Sequence, residues 1–343
     1  MAKTTTRAVL VGCGGMSRAW LTAATKHPDV DVVGLVDIDK SNARWRAEEF
    51  RLENALIGDD LKNILREVEP DVVFDVTVPQ AHTEVATTAL KYGCHVLGEK
   101  PLADSMAKAR RALRAAEKAG KIYAVIQNRR YNPAIRRLHK LLQKGAVGEI
   151  TTVNCDFYIG AHFGGFRDHM EHVLLLDMAI HTFDQARLLT GADPVSVYAR
   201  EWNPKGSWYD HDASAICVFE MTDGIVFTYR GSWCAEGLST SWESDWRVVG
   251  SKGTAKWDGG DDIRAASVKK GTGFMSEMRE VKVPALAKKD RVGGHAGLID
   301  EFIHCVRRGG SPETVCTDNI KSLAMVFGAI ESSQKGRSVA IKA

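Results

Sequence analysis

Val9-Leu10-Val11-Gly12-Cys13-Gly14-Gly15-Met16-Ser17 is the stretch that decides the fold. Apolar, strand-forming residues run into a glycine-rich turn, and helical spacing begins at Ser17. A strand, a glycine turn and a helix start, in that order, make a cradle for a dinucleotide pyrophosphate. Gly12 permits the tight turn and Gly14 permits close backbone approach. The helix start offers N–H donors and the positive end of its dipole. Ser17 stands where such a turn has its third glycine or alanine, which is small enough but a departure. Asp37 ends the next apolar run. A carboxylate there accepts both ribose hydroxyls of an adenosine and repels a 2′-phosphate, favouring NAD over NADP. Lys40 and Arg44 follow closely enough to bend that preference.

Outward from this stretch, residues 8–11, 32–36, 72–76, 95–97 and 123–126 read as continuous apolar strands. Helical patterns at 17–26, 41–49, 82–91 and 105–119 lie between them. Strands of that kind spaced by helices predict a parallel sheet covered on both faces. Asn132-Pro133 then caps and starts another helix, and Gly145 follows its end. Beyond residue 150 the rhythm changes. Residues 151–158, 195–202, 213–221, 225–233, 241–249 and 278–283 read as strands, with Asp223-Gly224 as a tight hairpin turn. The exception is 172–189, apolar at helical spacing and closed by Gly191; helices at 297–307 and 317–334 finish the chain. The expected fold is α/β: a Rossmann dinucleotide-binding domain over 1–126, then an α+β domain over 127–343 with a large, mainly antiparallel open sheet.

Composition narrows the class. Hydrophobic residues make up 44% of the 343 and charged residues 26%, an ordinary balance that excludes a disordered chain. The formal net charge is only +3, and Arg129-Arg130 and Arg136-Arg137 sit within amphipathic patterns, which argues against a nucleic-acid surface. No apolar run approaches the ~20 residues that cross a bilayer. Residues 1–4 lead straight into a strand without an apolar leader. The seven cysteines are odd in number and form no CxxC pair, so a reduced, cytoplasmic protein is expected.

Val96-Leu97-Gly98-Glu99-Lys100-Pro101 carries the first chemical signal. Proline restricts Lys100 to a narrow range of directions at a strand end, where doubly wound folds bind their ligands. Asp177 and His181 supply the second: four apart in an apolar helix, they share one face. A histidine takes the proton of a substrate hydroxyl there, with the aspartate orienting it. His162, His169, Glu171 and His172 precede the pair, but the loop-like stretch around His169 lacks a rigid metal-ligand spacing, and no metal is expected. Arg130, Tyr158, His162, Phe163, Arg167 and His169 are candidates to reach a hydroxyl-rich substrate. Trp202, Trp208, Trp233, Trp242, Trp246 and Trp257 fall in the second half. Most are expected to pack a core or an interface, with Trp233, at a strand end, the candidate to stack on a sugar face.

The chain resembles the Gfo/Idh/MocA oxidoreductases, named for glucose–fructose oxidoreductase and inositol 2-dehydrogenase. The resemblance rests on residues 12–16, Asp37, Thr77-Val78-Pro79 with His82, Glu99-Lys100-Pro101, the run Gln127-Asn128-Arg129-Arg130-Tyr131-Asn132-Pro133, Gly148-Glu149-Ile150, and Asp177 with His181. It implies that Lys100 contacts the substrate hydroxyl and the nicotinamide ribose, that His181 is the acid/base and that Asp177 supports it. Gly12, Gly14, Gly15, Met16, Asp37, Thr77, Pro79, His82, Glu99, Lys100 and Asn128 would line an NAD cofactor. Lys100, Asp177 and His181 would also hold the substrate. The implied activity is an NAD(P)-dependent dehydrogenase or reductase acting on a sugar, sugar derivative or cyclitol. Homodimers or homotetramers would form through the open sheet. Two other readings share the fold: redox-neutral elimination or glycoside cleavage, and a non-catalytic NAD-responsive regulator, which would not need Lys100, Asp177 and His181.

Overall fold

The computed structural model describes residues 5–271 and 273–343; residues 1–4, read above for a leader, lie outside the described residues. In chain order the first elements are β1 (Thr6–Val11), α1 (Ser17–Ala24), β2 (Val30–Val36), α2 (Lys40–Glu49), β3 (Leu56–Gly58), α3 (Leu61–Val68), β4 (Val72–Asp75), α4 (Pro79–Lys91), β5 (His95–Gly98), α5 (Met106–Ala119) and β6 (Tyr123–Val125). There follow α6 (Pro133–Gln143), β7 (Ile150–Tyr158), α7 (Ile180–Thr190), β8 (Pro194–Trp202), β9 (Ser214–Met221), β10 (Val226–Ser232), β11 (Asp245–Gly250), β12 (Gly253–Trp257), β13 (Ile263–Lys270), β14 (Glu277–Glu280), α8 (Gly294–Arg308), α9 (Cys316–Lys335) and β15 (Val339–Ala340).

Two compact units result. Unit 1 comprises Met1–Tyr131 with Arg291–Ile320, and unit 2 comprises Asn132–Asp290 with Lys321–Ala343. Unit 1 holds a parallel sheet in the order β3-β2-β1-β4-β5-β6. Its central strands are buried on both faces, which is why they read as unbroken apolar runs. β3 and α3 escaped the sequence pattern because the strand is three residues long and the segment around it is polar. Asp60 starts α3 by accepting from the N–H groups of Lys62 and Asn63.

Sequence order puts residues 291–320 in the second domain, but the contacts put them in unit 1. The reason is apolar: Leu298, Ile299, Phe302 and Ile303 of α8 join one buried cluster with Leu10, Trp20, Phe74, Leu97 and Tyr131. No local signal names which unit an amphipathic helix will cover.

Unit 2 carries a nine-stranded sheet in the order β14-β13-β12-β11-β7-β10-β9-β8-β15, antiparallel except where β10 runs alongside β7. The alternation of buried and exposed residues over 197–201 of β8 and 215–221 of β9 shows that one face packs a core and the other is open. Phe183 of α7 meets the inner face, with ring centroids 4.8 Å from Phe219 and 5.3 Å from Tyr229. Asp223 and Gly224 both take positive φ, as the hairpin signal required. Residues 241–244 are a serine-capped turn rather than the start of a strand: the Glu243 N–H donates to Ser241 Oγ. Pairing also recruits β12 and β13, which no period-2 pattern announced.

Phe302→Ala tests the assignment of α8. Emptying so large a buried site costs about 3–5 kcal/mol in urea unfolding; a loss below about 1 kcal/mol would detach α8 from the core of unit 1.

Candidate active site

The register of unit 1 aligns its strand ends. Val11 pairs with Val36 and Asp75, Asp75 with Gly98, and Gly98 with Val125. Gly12, Asp37, Thr77, Glu99 with Lys100, and Asn128 therefore leave the sheet at one carboxyl edge. Strand order reverses between β1 and β4, the switch point at which doubly wound sheets take ligands.

Gly12 has φ +91°, and a Cβ there would come within 2.5 Å of the Val76 carbonyl oxygen, so only glycine fits. A Cβ on Gly14 or Gly15 would meet nothing within 4 Å, so the turn borders open space. Among the described residues the N–H groups of Gly14, Gly15 and Met16 meet no acceptor. Asp37 closes the turn: Oδ2 accepts the Cys13 N–H at 2.7 Å and Oδ1 the Asp39 N–H at 2.9 Å. Its half-exposed carboxylate keeps lone pairs for further hydroxyl donors. Amide donors, a helix start and this acceptor fit a dinucleotide. Burial and the Asp37 charge push the Cys13 thiol up to about 12 against the pull of Arg46, so Cys13 is inert.

Buried charge holds the edge in shape. Thr77 Oγ1 donates to Asp75 Oδ1 at 2.6 Å, and His82 Nδ1 lies 3.1 Å from Asp75 Oδ2. Asp75 and His82 are fully buried. Pro79 occupies the first turn of α4. Glu99 is also buried and accepts from Trp20 Nε1 at 2.8 Å and from the Lys100 N–H at 3.2 Å. His295 sets Nε2 3.8 Å from Glu99 Oε1, while its Nδ1 lies 3.3 Å from Asn128 Nδ2. Burial raises the Glu99 carboxyl, but hydrogen bonds from His295 and Trp20 and the charges of His295 and Lys100 hold it below its usual range. Lys100 is half-buried, and its peptide with Pro101 is cis. Asp75 and His295 are missing from the sequence candidates; a lone aspartate and a histidine 167 positions from Asn128 carry no spacing signal. Arg130, expected at the substrate, is instead buried in unit 1 with Nη2 3.5 Å from Asp318. Its place in an arginine-rich run gave no hint of that partner.

In unit 2 the expected unbroken helix starts as a π turn over Leu174–Ala179 and becomes α-helical at Ile180. π turns cluster at functional sites, and residue spacing does not disclose them. Asp177 lies in this turn and accepts from Arg167 through Oδ2 at 2.8 Å and Oδ1 at 3.4 Å. His181 is buried in the first turn of α7. The Arg167 guanidinium also lies over the rings of Phe163 and Phe166, at 4.9 and 4.8 Å. Phe163 is 40% exposed and meets Trp233 edge-on at 5.1 Å. Trp233 corrects the expectation drawn from its strand end: it is 1% exposed, clamped between Phe157 and Phe163. Trp242, 49% exposed, joins Phe163 as an open ring of this cluster. Tyr158 is half-buried at the end of β7.

Each histidine of the preceding loop faces its own carboxylate. His162 Nε2 is 2.9 Å from Glu236 and its ring stacks on Trp208, His169 Nδ1 is 2.5 Å from Asp210, and His172 Nδ1 is 2.8 Å from Glu201. Among the described residues no three His, Cys, Asp or Glu side chains gather to hold a metal ion.

Residues 6–127 match the family model described as oxidoreductase family, NAD-binding Rossmann fold, and residues 135–256 match the GFO/IDH/MocA C-terminal domain. The Sinorhizobium fredii protein y4oX is 30% identical over 97% of this chain and 94% of its own. The D-apiose dehydrogenase of Paraburkholderia graminis is 26% identical over 98% of this chain and 90% of its own. In fold, the chain is similar to an Agrobacterium radiobacter oxidoreductase crystallised with NAD+, L-tartaric acid and magnesium. The TM-score is 0.86 at 22% identity, over 98% of both chains.

His172 supplies a pH test. Its hydrogen bond to Glu201 raises its pKa from 6.5, against the opposing effect of burial. A raised folded value stabilises the fold fully below the ordinary histidine pKa, and this contribution fades as pH climbs through the folded value. His172→Asn is expected to cost roughly 1–2 kcal/mol in urea unfolding near pH 6, and less in mildly alkaline buffer. An identical cost at both pH values would show that the pair carries no charge.

Proposed function

This chain belongs to the Gfo/Idh/MocA oxidoreductase family, and on that premise we propose that it transfers a hydride between NAD and a carbinol carbon of a sugar, sugar derivative or cyclitol. The observation that carries the reading is the shared carboxyl edge of unit 1, from which the glycine cradle, Asp37 and Lys100 all emerge. When bound, the nicotinamide supplies the acceptor or donor of the hydride. Lys100 is assigned to the substrate oxygen, where its ammonium stabilises the alkoxide charge that develops as the hydroxyl proton leaves. His181 takes that proton and returns it in the reverse direction. Asp177, oriented by Arg167, holds negative charge one turn before His181 and accepts a substrate hydroxyl.

Asp37 supports NAD over NADP, and Lys40 is drawn aside to Asp59 at 3.1 Å. The open rings of Trp242 and Phe163 suit the C–H face of a sugar ring, and the named activity of the D-apiose dehydrogenase relative agrees with that class. The open sheet face of unit 2 exposes Val195, Tyr198, Ile216 and Val218, which supports a homodimer or homotetramer formed through it. Seven unpaired cysteines, most of them buried, suit a reducing compartment such as the cytoplasm. No helix among the described residues is long and apolar enough to cross a membrane.

Spectrophotometric formation of NADH across pentoses, hexoses, glycosides, aldonates and inositols tests the proposal. A turned-over substrate is expected within this set, with kcat lowered about a hundredfold or more in Lys100→Met and in His181→Ala. NAD binding without turnover of any polyol would sink the dehydrogenase reading.

A further inference from the structure

Ser17 stands where a dinucleotide turn needs a small residue for close helix–strand packing, yet it brings a hydroxyl to a position with 0% exposure. A buried hydroxyl is costly without partners. Here it has two. Ser17 Oγ donates to the Gly14 carbonyl oxygen at 2.6 Å and accepts from Arg46 Nε at 2.8 Å. Arg46, on α2 and 3% exposed, also donates through Nη2 to the same Gly14 oxygen at 2.9 Å. Its Nη1 pairs with Glu49, whose other oxygen is 2.8 Å from Arg18 of α1. The turn, α1 and α2 are thereby joined by one guanidinium.

Peptide geometry gives this ring a consequence. In a planar trans peptide the C=O and N–H point in opposite directions. Holding the Gly14 oxygen onto Ser17 and Arg46 turns the N–H of Gly15, in the same peptide, the other way. That N–H meets no acceptor among the described residues, and the glycines beside it border open space. Arg18, Arg46 and Glu49 together leave one positive charge at the start of α1, adding to the helix dipole.

We infer that Arg46, acting through Ser17 and the Gly14 carbonyl, is a positioning residue that presets the Gly15 N–H for the pyrophosphate of the dinucleotide. The inference rests on the dinucleotide reading above and extends it to residues outside the glycine turn. Ser17 and Arg46 act there as a pair, both donating to the Gly14 carbonyl oxygen.

Calorimetric titration separates the possibilities, with ADP-ribose as a probe that carries the pyrophosphate and adenosine as one that does not. Arg46→Met is expected to weaken ADP-ribose about tenfold or more, to flatten its salt dependence and to leave adenosine unchanged. Arg46→Lys keeps the charge but not the fork and is expected to recover part of the loss. Ser17→Ala removes a single oxygen and is expected to weaken ADP-ribose less than Arg46→Met. Unchanged ADP-ribose affinity in Arg46→Met overturns the clamp alone. Equal losses of both probes overturn it too, leaving Arg46 a structural brace. If Arg46→Met does not fold, Ser17→Ala decides: weakening confined to ADP-ribose supports the clamp, and none overturns it. A wild-type protein that binds neither probe overturns the dinucleotide reading and the clamp with it.

Discussion

The approach of Gly12 to the Val76 carbonyl is the constraint on which unit 1 depends. β1 and β4 are neighbours in a parallel sheet, and the chain must turn out of β1 over the end of β4. A methyl group at Gly12 would sit 2.5 Å from that oxygen, well inside van der Waals contact. Because the backbone passes there, the Gly12 N–H reaches Val36 O at 2.8 Å and the Val76 N–H reaches Val11 O at 2.7 Å. The ends of β1, β2 and β4 are pinned to one another, and every residue that follows them inherits a fixed position.

Behind that edge lie charges that are buried and paired rather than open. Asp75 holds Thr77 and His82, Glu99 holds Trp20 and His295, and Arg46 holds Ser17 and Glu49. Burying such groups is expensive unless their partners are complete, and removing one partner leaves a charge uncompensated. The first two sets tie a strand end to a helix, and the third ties α2 to the start of α1. Asp37 and Lys100 stay half-exposed on the same edge, and the division of labour follows from burial.

Unit 2 uses the same economy on a different frame. Its inner sheet face is filled by aromatic rings and by α7, and its rim near the ends of β7 and β10 keeps Phe163 and Trp242 open. Arg167 serves two purposes there, stacking on phenylalanine rings while holding the Asp177 carboxylate. The π turn that carries Asp177 breaks the helical ladder just ahead of His181.

Local spacing alone determined much of this. Apolar runs spaced by helical patterns marked the parallel strands, Asp223-Gly224 marked the hairpin between β9 and β10, and Gly12 with Asp37 marked the dinucleotide edge, because backbone period and turn chemistry are properties of neighbouring residues. Only the tertiary structure decided which distant side chains meet. Trp233, expected to be open, is sealed between two phenylalanines while Trp242 is exposed; Arg130 is taken by Asp318; α8 covers the first unit and brings His295 to Glu99. Short β3 and the paired strands β12 and β13 exist because neighbours complete their hydrogen bonds, not because their own residues insist on extension. The reason is the same in each case: a period is written along the chain, whereas a partner is chosen by packing across it, where burial makes an unpaired polar group too costly to keep.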